Sequence, residues 1–368
     1  MGRPVLYTLF LFSIISIVFS SCKGDVVRSL STKPKAMGRI NQVVILSDQS
    51  MSEGAMGDSI SYYFESAYPI MPAEEPLFDI RLMTIQELFA KPYSKELRTY
   101  VLLADVSDTS SLATRMLKED LGTEKFSRAQ KDPSFNSSVG QDKWAKGQII
   151  IYIFGNGREN IAKSIRENFA NISKRINVHD NANLAATVFG IQDINLELSK
   201  QVLDSFGLTI KIPGLYKKAL QNENFLWIRM DHKDINQSLV FRRFPYTSKE
   251  QFKMDNIIKM RNTYGKLFIQ TGFKDAYMST NVIDLPTYEY SYMHNNIYYK
   301  EVRGIWETVN DFMEGPFVSY ILLNEPAGEI VFIDAFVFAP GKQKRDYVQQ
   351  LDCIVKSSTF PGVTKKKS

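Results

Sequence analysis

Arg303, Trp306, Glu307, Asn310 and Asp311 fall within nine positions of one another, just before the pair Gly315-Pro316. On an extended strand Arg303, Ile305 and Glu307 share one face, and Gly304, Trp306 and Thr308 the other. Two carboxylates beside an indole suit acid–base work on a glycan, so Glu307 and Asp311 are the candidate catalytic residues. Arg303, Trp306 and Asn310 are the candidate binding residues around them. The same types also satisfy a purely structural role: a buried Trp, with turns at Asn310-Asp311 and Gly315-Pro316.

Tyr288, Tyr290 and Tyr292 recur at every second residue and line one face of a strand. Tyrosine combines a large contact area with a polar tip, so an exposed stripe suits a sugar or a protein partner. A half-buried edge strand explains the stripe equally. Gly155-Asn156-Gly157 follows a strand and opens a helix, the position of a phosphate-binding turn. The third glycine of the dinucleotide fingerprint is absent, Asn160 standing there, so a tight turn with positive φ is the expectation. Ser47-Asp48-Gln49-Ser50 lies after a strand, where open α/β sheets hold ligands, although helix capping also accounts for it. No G-x-S-x-G elbow and no Walker lysine motif occur. His179, His232 and His294 are far apart without metal-type spacing, so no metal and no cofactor are expected.

The N-terminus carries an address. Arg3 is the only charge before Lys23, and the apolar run from Val5 to Phe19 is shorter than the roughly 20 residues a spanning helix needs. Ser20-Ser21 stand immediately before Cys22. Phe19-Ser20-Ser21-Cys22 resembles a bacterial lipobox, which implies acylation of Cys22 and loss of residues 1–21. One acyl chain anchors marginally, at about 0.8 kcal/mol per buried methylene, whereas several on one cysteine hold a domain at a membrane. The partner expected through Cys22 is therefore a membrane, with an envelope protein or glycan beyond it. Cys353 then has no intramolecular partner and is expected in a core, on an amphipathic helix.

The whole chain has 368 residues, 44% hydrophobic and 23% charged, which excludes a disordered or collagen-like protein. Two Cys and three His exclude a zinc-finger array or an iron–sulfur protein. A net charge of +5 falls to +4 with the loss of Arg3, and nothing in it demands nucleic acid. Residues 22–38 read as a polar tether and 361–368, with Lys365-Lys366-Lys367, as a basic tail.

Between these ends, the elements change character. Val43–Leu46, Phe78–Leu82, Tyr100–Ala104 and Gln148–Phe154 read as strands alternating with helices at Ser59–Ala67, Ile85–Ala90, Ser110–Leu121 and Arg158–Ile176. That predicts an α/β domain over 39–195, with a layered sheet and helices. Gly122–Lys146 is polar and reads as a long loop. A connecting helix is expected over 196–207. An α+β domain follows over 208–360, mostly antiparallel with flanking helices. Its expected parts are a short strand at Leu208–Pro213, a pair at Phe225–Met230 and Ser238–Phe244, a Thr247/Glu250 capping box opening a helix, and a hairpin of Phe317–Leu323 with Ile330–Phe338.

Arg303–Glu307, Asn310–Ser319 and Phe338–Asp346 together resemble a Bacteroidota lipoprotein family, domain of unknown function 4837. The resemblance implies an envelope lipoprotein, lipid-anchored at the outer membrane. It supplies no activity and no catalytic residues. A membrane-tethered protein- or glycan-binding module is the leading expectation. An envelope glycan or peptide hydrolase and a small-ligand carrier are the alternatives.

Overall fold

The computed structural model describes residues 33–190 and 193–362. The residues expected to form a lipobox, Cys22 among them, and the tail lysines Lys365–Lys367 lie outside the described residues. Chain contacts divide the protein into two units. One contains Val44–Asp48 and Leu82–Gly157; the other contains Arg39–Val43, Gln49–Arg81 and the chain from Arg158 onward.

The first sheet has the order β2-β1-β3-β5-β4, built from β1 (Gln42–Ser47), β2 (Asp79–Thr84), β3 (Thr99–Asp105), β4 (Ser137–Gln141) and β5 (Ile149–Gly155). β1, β3 and β5 run parallel and β4 antiparallel to β5, so the sheet is mixed. β3 and β5 are buried along almost their whole length, which is why they read as unbroken apolar runs. Helices α2 (Ile85–Ala90) and α3 (Leu112–Lys131) pack Ile85, Leu88, Met116 and Leu117 against Tyr100, Leu102 and Ile150.

The expected loop over Gly122–Lys146 is instead partly ordered into regular elements. Gly122, at φ +77°, breaks α3, and the helix then resumes to Lys131. Only Phe126 and Ala129 of that second half are buried, too few to give a periodic signal. β4 follows as an edge strand of Ser, Val, Gly and Gln, with no apolar alternation to betray it.

The second unit holds the chain's other sheet, ordered β10-β11-β12-β13-β8-β7-β6, with β9 also pairing β11. Its strands are β6 (Lys217–Asn222), β7 (Phe225–His232), β8 (Ile235–Pro245), β9 (Tyr277–Asn281), β10 (Tyr288–His294), β11 (Ile297–Val309), β12 (Glu314–Asn324) and β13 (Glu329–Phe338). Every pairing is antiparallel. Helices α5 (Leu196–Phe206) and α7 (Arg345–Lys356) cover one face, placing Val202, Phe206, Val348 and Leu351 on Phe241, Tyr320 and Ile333. Helix α6 (Met254–Phe268) covers the other, placing Ile257 and Tyr264 with Val240, Phe317 and Phe332. The expected α/β followed by α+β organisation is what the two regions adopt.

Helices α1 (Gly54–Phe64) and α4 (Arg158–Gly190) also belong to this unit, with Phe64 and Phe169 edge-to-face at 5.3 Å. Glu75 accepts the backbone N–H groups of Lys344 at 2.6 Å and Arg345 at 2.8 Å. It thereby satisfies the start of α7, which has no side-chain cap of its own. Arg345 reaches back to both carboxylate oxygens of Asp79, at 3.3 and 3.0 Å.

Two local expectations shift. Leu208–Pro213 is extended and buries Leu208, Ile210 and Ile212, but it makes only isolated bridges, Thr209 to Thr359 and Pro213 to Ile194, rather than a ladder. The capping box moves by a residue as well, to Ser248 and Gln251, and opens a 3₁₀ turn rather than the helix. Gln251 accepts the N–H groups of Thr247 at 2.7 Å and Ser248 at 3.2 Å over a 3₁₀ turn, and α6 begins only at Met254. Glu250 turns instead to Lys253 at 2.7 Å.

Candidate functional site

The residues around Glu307 occupy the far end of the β11–β12 hairpin. Trp306 is 3% exposed, and its indole N–H donates to the Val337 carbonyl at 3.1 Å. It lies edge-to-face with Phe336 at 5.9 Å, closed in by Gly315 across the ladder. A Cβ on Gly315 would fall 2.0 Å from the Val337 oxygen and 2.8 Å from the indole nitrogen. This indole is packed as core and offers no open stacking face. Glu307 accepts the Asn281 side-chain amide at 2.9 Å, and the same nitrogen serves Asp284 at 2.5 Å. Asp311 turns back on the Phe312 N–H at 2.8 Å, and Asn310, at φ +59°, donates to the Asp275 carbonyl at 3.1 Å. Asn310 and Asp311 thus make the turn, and each carboxylate has a structural partner.

Arg303, four residues earlier on β11, is engaged by the covering helix α7 rather than by this group. Its guanidinium donates to Glu301 at 2.5 Å and to Asp352 of α7 at 2.6 Å. The Tyr320 hydroxyl donates to the other Asp352 oxygen, and Tyr292 donates to Glu301 at 2.6 Å. Burial alone would raise the Asp352 carboxyl, but Arg303, Lys356 and the Tyr320 hydroxyl outweigh it and hold it below the usual carboxylate range. Burial pushes the Tyr320 and Tyr292 hydroxyls up, reinforced by these carboxylates. Arg303 is therefore a buried counter-ion. The opposite sheet face has its own pair: Arg261 sits 3.2 Å from Asp334, both side chains fully buried, with Tyr264 and Ser319 donating to the same carboxylate.

The tyrosine stripe lies on β10, the outermost strand of the sheet. Tyr288 and Tyr290 are 47% and 46% exposed. Tyr292 turns inward, stacking on Tyr299 at 5.5 Å with the rings 9° apart. His294 meets the Lys356 carbonyl at 2.9 Å. Asn295 and Asn296, both at positive φ, make the two-residue turn into β11.

The reverse face of β10 and β11 borders an open groove of about 730 Å³. Glu289, Tyr298, Lys300 and Leu323 come from the sheet; Tyr246, Phe252, Met254 and Asp255 come from the segment entering α6. Phe252 stands edge-on to Tyr246 at 5.9 Å and to Tyr298 at 5.3 Å. Lys300 pairs with Glu289 at 3.0 Å, and Lys249 and Lys253 stand at the rim. Half-buried rings with both signs of charge around them suit a neutral, hydroxyl-rich ligand. Sequence reasoning missed this groove because its residues run from 246 to 323 with no local pattern.

The remaining sequence candidates are engaged locally. Gly157 has φ +84°, and its N–H donates to Asp105 at 2.9 Å, so a carboxylate takes the donor a phosphate would need. Burial would raise Asp105, but the Ser107 hydroxyl and the Gly157 and Ser107 N–H groups hold it down. Asp48 accepts the Ser111 hydroxyl, and Ser111 in turn caps α3 through the Thr114 N–H at 3.1 Å. Ser47 is buried, and Gln49–Met51 is a single 3₁₀ turn. Cys353 is half-buried, and burial pushes its thiol up to about 11. Among the described residues no three His, Cys, Asp or Glu side chains are grouped to hold a metal ion. No helix among them is long and apolar enough to cross a membrane.

Two family models match the chain. Residues 36–189 match one described as Domain of unknown function (DUF8532), and residues 195–357 one described as Domain of unknown function (DUF4837). No curated protein matches. The solved structures that resemble part of the chain include a Protein Mog1 E65A mutant and the Saccharomyces cerevisiae Ran-binding protein Mog1p. Each is 9% identical, with a TM-score of 0.27, over 42% of this chain and 90% of the other, a likeness too slight to carry an argument. The match over 195–357 spans both the groove and the Arg303 network, so it is this region of the chain that is similar to the family described as Domain of unknown function (DUF4837).

Proposed function

We propose that this protein is a lipid-tethered binding module of the cell envelope, anchored through Cys22 at the outer membrane, and that it holds a glycan in the aromatic groove between β10–β11 and the start of α6. The groove carries the reading. Three edge-to-face rings supply apolar faces for the C–H surfaces of a sugar, and Lys249, Asp255 and the Lys300–Glu289 pair supply donors and acceptors for its hydroxyls. Glu307 and Asp311, bound to Asn281 and Phe312, give the hydrolase alternative no comparable support.

Calorimetry with the full acylated chain in detergent and a soluble tetramer of N-acetylglucosamine tests the proposal. Phe252→Ala and Tyr298→Ala should each weaken binding at least ~10-fold, the loss of about one stacked ring. Tyr62→Ala, far exposed on α1, should bind as the parent does. Equal affinity in all three variants, or no binding by the parent, overturns the glycan reading. The anchor has a separate check: Cys22→Ala should abolish fatty-acid labelling and release the chain from membranes.

A further inference from the structure

The two ends of the large sheet are built differently. β6, at one end, has the sequence Lys-Lys-Ala-Leu-Gln-Asn, and its register slips between Lys218 and Leu220. Charged lysines and a bulge are what keep an exposed strand from pairing with another chain. β10, at the other end, has neither. Its pairing with β11 runs unbroken from Tyr288–Arg303 to His294–Ile297. It contains no Lys, Arg or Pro, and its one charge, Glu289, is already neutralised by Lys300. Among the described residues no backbone hydrogen bond from outside β11 reaches Tyr288–His294. In an antiparallel ladder every second residue directs its N–H and C=O outward, so this edge presents unused donors and acceptors.

The side chains of β10 also fit their own copy. Antiparallel pairing centred on Ser291 sets Ser291 against Ser291, Tyr290 against Tyr292, Glu289 against Met293 and Tyr288 against His294. Tyrosines and histidine then pair on one face, and no like charges meet. Cross-strand aromatic pairs are favourable and opposed like charges are not, so this register is self-complementary in the way a two-fold interface requires.

We infer that β10 is a homodimerisation edge: two copies join through Tyr288–His294 to make one continuous sheet across a two-fold axis at Ser291. Pairing of this kind leaves the reverse face of both sheets on the same side, so the two grooves would face one way and could bind one extended ligand together. The inference rests on the strand edge alone and stands whatever the groove binds.

The test uses the full chain in native envelopes. Ser291→Cys in a Cys353→Ala background should give a reducible dimer on mild oxidation, because paired residues at the axis bring Cα atoms within about 4.5–5.5 Å. Lys217→Cys, on the guarded edge, should give at least ~10-fold less of that dimer, the two edges differing as guarded and unguarded strands do. A charge swap supplies the second arm. Ser291 is exposed and its hydroxyl accepts from Tyr298 at 3.1 Å, so Ser291→Lys and Ser291→Glu should fold. Two differently tagged Ser291→Lys copies should no longer co-purify, while a Ser291→Lys copy should co-purify with a Ser291→Glu copy. Dimer of equal yield at Lys217→Cys, co-purification of the two lysine copies, or crosslinking of Ser291→Cys to a different protein would each overturn the inference.

Discussion

Arg303 on β11 and Asp352 on α7 meet at 2.6 Å, and the contact ties the covering helix to the sheet through a charge pair rather than through apolar packing alone. Glu301, Tyr292 and Tyr320 complete the hydrogen bonding around the pair, so a residue that reads as a ligand-binding arginine is fully occupied by its own fold. A buried pair contributes little net stability compared with an apolar isostere, but removing one member strands the other. Arg303→Met should therefore lower unfolding free energy by about 3–5 kcal/mol. The double variant Arg303→Met with Asp352→Leu should recover much of that. Urea unfolding of both variants checks it; a single-variant loss under about 1 kcal/mol would contradict the network's role.

The same carboxylate sets an acid limit. Asp352 is held below its unfolded value, so its contribution is fully present above about pH 3.9 and is lost as pH falls through the lower folded value. Fluorescence-monitored stability should fall steeply below that pH in the parent protein. Asp352→Asn, already destabilised, should show a shallower fall over the same range. Identical slopes in the two proteins would remove Asp352 as the source.

Close packing at the hairpin end gives a steric prediction. Gly315→Ala drives a methyl to 2.0 Å from the Val337 carbonyl oxygen, which cannot move without breaking the Trp306 hydrogen bond. A loss of about 3 kcal/mol or more is expected, in the range of severe overpacking. Gly328→Ala, in a left-handed turn with nothing within 4 Å, should cost only about 1–2 kcal/mol of backbone strain. Thermal melts that rank the two variants the other way would refute this account of the indole pocket.

Glu307→Gln and Asp311→Asn keep an acceptor for Asn281 and for the Phe312 N–H respectively. Each should change stability by less than about 1 kcal/mol, the scale of one weakened hydrogen bond, and leave the cellular role intact. Complementation of a deletion strain checks this. A properly folded variant that fails to complement would revive the acid–base reading.

Much of the second sheet could be read directly from the chain. Phe317–Leu323 and Ile330–Phe338 are apolar runs around Asn324–Gly328, and they form β12 and β13 because both faces of those strands are covered. The alternation of Tyr288, Tyr290 and Tyr292 placed all three on one strand face, and the Gly155–Gly157 turn needed its positive φ. The second half of α3 and the polar edge strand β4 escaped notice, since a helix with two buried positions and a strand with none carry almost no periodicity.

Most strands and helices with a buried face were legible in the chain alone, because burial on one or two faces imposes a period of 2 or 3.6 on the residues concerned. The roles of the polar residues are set by the tertiary fold. Arg303 and Asp352 are 49 positions apart, Arg261 and Asp334 are 73 apart, and the groove gathers rings from Tyr246, Phe252 and Tyr298. No local pattern encodes such pairs, because each is set by which strand lies beside which and on which face a helix lands. For the same reason Trp306, Glu307 and Asp311, adjacent in sequence, proved to be a buried ring, an amide-bound carboxylate and a turn.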